Sequence, residues 1–134
     1  PPRKDSARLR QAGAAEVMIA SPYRIAIMRE LRGAAEPPLA ELLARLAPAD
    51  LTLVEGYKWE ALPKLEVHRP DVGKPPLYPD DASIVAVVSN AGRPATLADD
   101  VAWLNIDAPA AVVGWLRGWL QESAQVPVAA AVKG

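Results

Sequence analysis

Three groups of residues carry side chains from which a binding site can be built. The first is Asp50-Leu51-Thr52-Leu53-Val54-Glu55-Gly56, an apolar run that ends on a carboxylate and a glycine. A buried strand that delivers an acid to the edge of a sheet is one way in which nucleotide-binding folds hold Mg²⁺. The acid meets the ion directly or through its waters, and phosphate oxygens fill other positions. Gly56 lets backbone approach a phosphate closely. Taken alone, the same acid reads equally well as the polar start of a solvated loop.

The second group is Lys58, Pro63, Lys64, Glu66, His68 and Arg69. Lysine suits phosphate as a point charge and arginine as a bidentate fork. By pattern alone a solvated strand face, on which Lys64 and Glu66 offset each other, is the simpler reading. His68 is the sole histidine. Its ring can contact a phosphate, but a histidine without partners is more often structural, and no metal triad can be built around it. Serine catalysis has no support, since no Gly-x-Ser-x-Gly occurs. The third group is Lys4-Asp5-Ser6-x-Arg8-x-Arg10-Gln11-Ala12-Gly13-Ala14. It suits Mg²⁺ or phosphate at a helix start, although a capped amphipathic helix explains it without any ligand. Of the four Trp, Trp115 and Trp119 share a helix face, and Trp59 beside Lys58 is the candidate for exposure to a partner.

Composition narrows the classes. Lys and Arg total 15 against 16 Asp and Glu, so no global basic field draws nucleic acid or an anionic membrane. The absence of Cys excludes disulfides and thiolate metal sites, and is compatible with a cytoplasmic protein. No apolar run approaches the roughly 20 residues of a membrane span, and the first residues do not form a secretory signal.

The elements that must position these groups follow from periodicity and punctuation. A short helix runs from Asp5 or Ser6 to Ala12 and ends at Gly13. Glu16–Ala20 and Arg24–Met28 are strands that plausibly pair as a hairpin across Ser21-Pro22. Leu39, Leu42, Leu43 and Leu46 stripe one face of a helix opened by Pro38 and stopped by Pro48. Leu51–Val54 reads as a strand buried on both faces. Lys64–His68 alternates as a half-buried strand with Leu65 and Val67 inward. Residues 69–81 form a loop, and Ile84–Val88 is the strongest buried-strand signal. Trp103–Ile106 is a weaker strand, after which Asp107 caps a helix with Val112, Trp115, Leu116, Trp119 and Leu120 on its apolar face. Residues 124–134 read as a C-terminal tail behind a domain spanning 1–123. Strands separated by crossovers imply an α/β layer fold with a mostly parallel sheet, whose ligands sit at the carboxyl ends of the strands. The polar residues to watch are therefore Glu55-Gly56-Tyr57-Lys58, His68-Arg69 and Ser89-Asn90.

Taken in order, Lys4-Asp5-Ser6…Arg10-x-Ala12-Gly13-Ala14, Leu53-Val54-Glu55-Gly56-Tyr57-Lys58 and Pro63-Lys64-Leu65-Glu66-Val67-His68-Arg69 resemble the molybdopterin-guanine dinucleotide biosynthesis protein B (MobB) family. The resemblance extends from Lys4 to about Leu120. It implies a three-layer P-loop NTPase-like fold, with a mostly parallel sheet flanked by helices, that binds GTP with Mg²⁺. It also implies a cytoplasmic homodimer, at most a slow GTPase, serving molybdenum cofactor biosynthesis. Its implied partner is protein A, the guanylyltransferase that joins a GMP moiety to molybdopterin; molybdopterin or its guanine dinucleotide is a further candidate ligand.

Carried over, Glu55 becomes the Mg²⁺-side acid and Asp5 a second one. Gly56, Lys58, Lys64 and Arg69 become phosphate-side candidates, and Ser89-Asn90 candidates for the base. Arg3 and Leu9 depart from the family, which normally has Gly and His near those positions. No Gly-x-x-x-x-Gly-Lys-(Ser/Thr) loop occurs, and Gly73-Lys74-Pro75 is no substitute. The expectation is that the loop and its strand lie upstream of Pro1, leaving a first strand missing from the sheet, with unpaired edges. The alternative is a non-enzymatic adaptor of the same lineage that docks partner proteins without nucleotide.

Overall fold

Short apolar runs punctuated by proline and glycine give short elements. The computed structural model describes residues 5–123 and, for the backbone, 129–133. The chain forms two compact units, Pro1–Ala47 and Pro48–Gly134, where the sequence reads as one domain over 1–123.

In the first unit, helix α1 (Asp5–Gln11) ends one residue before the expected Ala12. Gly13 lies in the left-handed region (φ 102°), and the amides of Ala12, Gly13 and Ala14 turn back onto the carbonyls of Arg8, Arg10 and Leu9. Strands β1 (Glu16–Ala20) and β2 (Ile25–Arg29) pair antiparallel, with Glu16 opposite Arg29 and Ala20 opposite Ile25. The connecting turn is held by Ser21, whose Oγ accepts the amides of Arg24 (3.1 Å) and Tyr23 (3.3 Å). Helix α2 (Leu39–Leu43) is shorter than its leucine stripe predicts. Beyond Ala44, the amides of Arg45 and Leu46 reach only the third residue back, and Leu46 is exposed while Leu39 is buried. The stripe's last member has no packed face to hold it in helix.

The second unit is built on a parallel sheet. Its strands are β3 (Thr52–Glu55), β4 (Lys64–His68), β5 (Ile84–Ser89), β6 (Ala102–Asn105) and β7 (Ala129–Lys133), in the order β3-β7-β4-β5-β6. All four pairings are parallel. The core centres on β5, where Ile84, Ala86, Val87 and Val88 are buried, as its continuous apolar run predicts for an interior parallel strand. Helix α3 (Pro109–Glu122) packs against β6. The rings of Trp115 and Trp119 stack at 6.0 Å on it. No helix among the described residues is long and apolar enough to cross a membrane.

Three expectations are corrected here. Asp107 does not cap α3. The cap position is Ala108, without a side-chain bond, and the Asp107 amide instead donates to Asn105 Oδ1 at 2.9 Å. Residues 129–133 of the expected tail form β7, which pairs with both β3 and β4 inside the sheet. An Ala-rich run has weak strand propensity and no alternation, so nothing in the sequence marks it as a strand. The rest of that tail, 124–128 and 134, lies outside the described residues. Because β7 takes this place, β3 and β4 do not face each other with open edges. Finally, β4 is covered on both faces where one solvated face was expected: Lys64 and Glu66 are buried (7% and 5% exposed), and Leu65 and Val67 are partly covered.

Candidate functional site at the carboxyl edge of the sheet

Parallel strands put all their carboxyl ends on one edge, here Glu55, His68, Ser89 and Asn105. Register shows which of these meet. His68 is level with Ser89 on the neighbouring strand. Glu55 is level with Val132 and through it with Leu65, so β4 runs three residues past Glu55. At about 3.3 Å per residue and about 4.8 Å per strand step, Glu55 and His68 are separated by roughly 10 Å along the strands and roughly 10 Å across them. The edge therefore holds two places rather than one.

The first place is the end of β3. Glu55 is exposed, and the two residues after it are left-handed, Gly56 at φ 88° and Tyr57 at φ 31°. That sharp turn carries the chain away and leaves the carboxylate on the rim. No group of three or more His, Asp or Glu able to hold a metal occurs among the described residues. One free carboxylate fits an Mg²⁺ that brings its own phosphate oxygens and waters, and does not make an all-protein cage.

The second place joins β4 and β5. Asp71 links the two strand ends: Arg69 Nη2 lies 3.7 Å from its Oδ2, and Asn90 Nδ2 donates to its Oδ1 at 3.4 Å. Asp71 escaped the sequence reading because it lies inside a Pro/Gly-rich loop. Ser89 is buried at the strand end. It is 1% exposed, its Oγ accepts the Ala91 amide at 3.1 Å, and its carbonyl accepts the Ile106 amide at 3.0 Å. It anchors the turn after β5, while Asn90 beside it is exposed.

The two lysines lie elsewhere. Lys64 opens β4, so it stands at the amino edge, opposite the expected ligand edge. Its Nζ is 2.9 Å from Asp81 Oδ2 and 2.5 Å from Ser83 Oγ, which removes it from the phosphate-side set. Its place as the first residue of a parallel strand was the signal in the sequence. Burial alone would raise the Asp81 carboxyl; the Ser83 hydroxyl, Lys64 and the Ser83 amide donate to it and hold it below the ordinary aspartate range. Lys58 Nζ sits over the Trp59 ring, 4.3 Å from its centroid. Both line a groove with Asp80, Asp81 and Ser83 at this same amino edge, so Lys58 too leaves the phosphate side. Glu66 does not offset Lys64: its two oxygens accept the amides of Leu77 (2.7 Å) and Tyr78 (2.9 Å). Asp5 belongs to the first unit, where it is exposed and 3.6 Å from Arg8.

Comparison with known proteins adds independent findings. The family described as molybdopterin guanine dinucleotide synthesis protein B matches residues 1–90. The chain is 36% identical over 124 residues to the molybdopterin-guanine dinucleotide biosynthesis adapter protein of Escherichia coli (strain K12), covering 90% of this chain and 69% of that protein. It is 34% identical over 120 residues to the protein of the same name from Haemophilus influenzae (strain ATCC 51907 / DSM 11121 / KW20 / Rd), covering 87% of this chain and 63% of that protein.

Proposed function

The chain belongs to the molybdopterin guanine dinucleotide synthesis protein B family, and from that premise we propose that it serves molybdenum cofactor biosynthesis as a GTP-binding accessory protein. The reading rests on one observation. Strand β3 delivers an exposed carboxylate, Glu55, to the carboxyl edge of a parallel sheet, directly before a left-handed turn at Gly56-Tyr57. Glu55 would hold the Mg²⁺ of Mg·GTP from one side, and the ion would supply charge neutralisation to the phosphates. Gly56 opens on free space, with no atom within 4 Å of where its Cβ would be, so a phosphate would meet no side chain there. Asn90, exposed at the end of β5, is the polar group on the base side. The protein acts in the cytoplasm as a homodimer, beside the guanylyltransferase that joins GMP to molybdopterin.

A second reading is favoured by the word adapter in the names of both relatives: docking of partner proteins without nucleotide. Calorimetric titration separates the two. Mg·GTP, with Mg·ATP as control, is titrated into this chain and into a form lengthened to the span of its relatives. Selective GTP binding that Glu55→Ala weakens by at least about 10-fold, roughly 1.4 kcal/mol, supports the first reading. Absence of binding in both forms overturns it in favour of the adapter.

A further inference from the structure

At the amino edge of the sheet, two held turns line an open groove of about 430 Å³. The first turn follows β3: Tyr57 is left-handed (φ 31°), and the Glu60 amide donates to the Tyr57 carbonyl at 3.0 Å. The second turn precedes β5: the amides of Asp80 and Asp81 donate to the Leu77 carbonyl at 2.9 and 3.1 Å. This second turn is tied to β4 twice, through Glu66 at the amides of Leu77 and Tyr78 and through Lys64 at Asp81. Both walls are therefore fixed before any partner arrives.

One wall presents Trp59 and Glu60, the other Leu77 and Asp80. Trp59 is 87% exposed, whereas Trp103, Trp115 and Trp119 are each partly covered. Tryptophan left in water on a fixed turn is the side chain that most often anchors a protein interface. The Lys58 ammonium lies 4.3 Å from the centroid of its ring, so the indole already serves as a seat for a cation. Of the acids in the lining, Asp81 is matched by Lys64. Glu60 and Asp80 are exposed, and neither takes part in an ion pair among the described residues. Two unmatched carboxylates thus stand beside the indole against the single charge of Lys58.

That charge balance selects the occupant. A phosphate, a nucleic acid or an anionic membrane would meet two free carboxylates and be repelled. A neutral apolar body would cover Trp59 but strip water from acids it cannot pair. A guanidinium satisfies both, because its plane stacks on the indole, its fork reaches carboxylate, and its methylene stem covers apolar wall at Leu77. We propose that this groove docks an arginine-bearing extended segment of a partner protein, with the guanidinium on Trp59 and between Glu60 and Asp80. The assignment rests on the reading in which the chain docks partner proteins, and it gives that reading a surface and a partner chemistry. Neither Glu55 nor Gly56 lines the groove, so the surface is separate from the nucleotide edge.

The probe is the peptide acetyl-Ala-Arg-Ala-Arg-Ala-amide, with citrulline in place of both arginines as its uncharged control. Binding to the full chain is followed by the chemical shift of the Trp59 indole N–H. The expected dissociation constant is on the order of 1 mM, with the citrulline peptide at least about 10-fold weaker. Trp59→Ala weakens binding by roughly 5-fold or more, read at the Leu77 methyls, and Asp80→Asn by about 3-fold. Lys58→Ala tightens it by about 3-fold, because the cation competing for the ring is gone. All three side chains are exposed, and an unchanged thermal midpoint confirms that the variants fold. Glu55→Ala leaves peptide binding unchanged. The proposal is overturned if the citrulline peptide binds as tightly, if the shifts map away from Trp59 and Leu77, or if Lys58→Ala weakens binding. A negative peptide titration removes this groove, while the docking reading itself is decided separately by the GTP titration.

Discussion

The ammonium of Lys64 lies 2.9 Å from the Asp81 carboxylate, and both stand at the amino edge of the sheet, away from Glu55. The lysine side chain is 8% exposed and the aspartate 28%. Ser83 completes the cluster: its amide donates to Asp81 at 3.0 Å, and its hydroxyl takes a bond from Lys64 at 2.5 Å. The Lys64 amide also donates to the Ser83 carbonyl at 2.8 Å. A side chain that reads as a phosphate ligand is thus the tie between β4 and the segment leading into β5.

Breaking this pair from one side costs more than removing it whole, because the remaining charge loses its partner. Lys64→Met is expected to destabilise by about 2 kcal/mol, below the usual 3–5 for a fully buried pair because water still reaches Asp81. Lys64→Met combined with Asp81→Leu should cost less than the sum of the two single changes. Urea unfolding of the three variants checks this, and additive losses would show that the pair is not coupled.

The same pair sets an acid dependence. Asp81 is held below its ordinary range in the folded protein. Its contribution is therefore present above the unfolded aspartate value of about 4 and is lost as pH falls through the lower folded value. Stability measured between pH 6 and pH 2 should fall less steeply in Asp81→Asn than in the parent chain. Equal slopes would assign the acid loss to other carboxylates.

Glu66 governs the loop over β4. Two backbone amides, those of Leu77 and Tyr78, end on its carboxylate. Glu66→Ala leaves both donors unsatisfied and should cost about 2–4 kcal/mol, with Glu66→Gln costing less because one acceptor remains. Hydrogen exchange at Leu77 and Tyr78 should accelerate first, ahead of the β5 core.

The backbone conformation at Gly56 by itself favours glycine. Its φ is 88°, and no atom lies within 4 Å of where a Cβ would be. Gly56→Ala should cost about 1 kcal/mol through backbone strain, and Gly56→Asn less, since asparagine tolerates the left-handed region. Thermal unfolding decides it; a neutral alanine would mean that the turn relaxes.

Local chemistry made the strand ends readable. The apolar runs before Glu55 and Ser89 announced β3 and β5, and the rule that parallel sheets offer their carboxyl edge picked out Glu55-Gly56-Tyr57-Lys58, His68-Arg69 and Ser89-Asn90 without reference to any contact, although Lys58 turns back to the amino edge and Ser89 is buried. Periodicity also supplied the hairpin and α3, since these depend on neighbours within a few residues. What remained hidden depends on partners distant in sequence. Lys64 and Glu66 alternate with Leu65 and Val67, and nothing local says that the loop at 77–83 supplies both an acid and two amides to the polar face. The Ala-rich segment of β7 carries no pattern of its own and becomes a strand only because β3 and β4 offer hydrogen bonds on both sides. Asp71 acquires meaning only when register brings β4 level with β5 and places Asn90 beside the loop. Burial and pairing are properties of surfaces that meet after folding, so the sequence determined which groups reach the edge, and the tertiary structure alone decided which of them stand together.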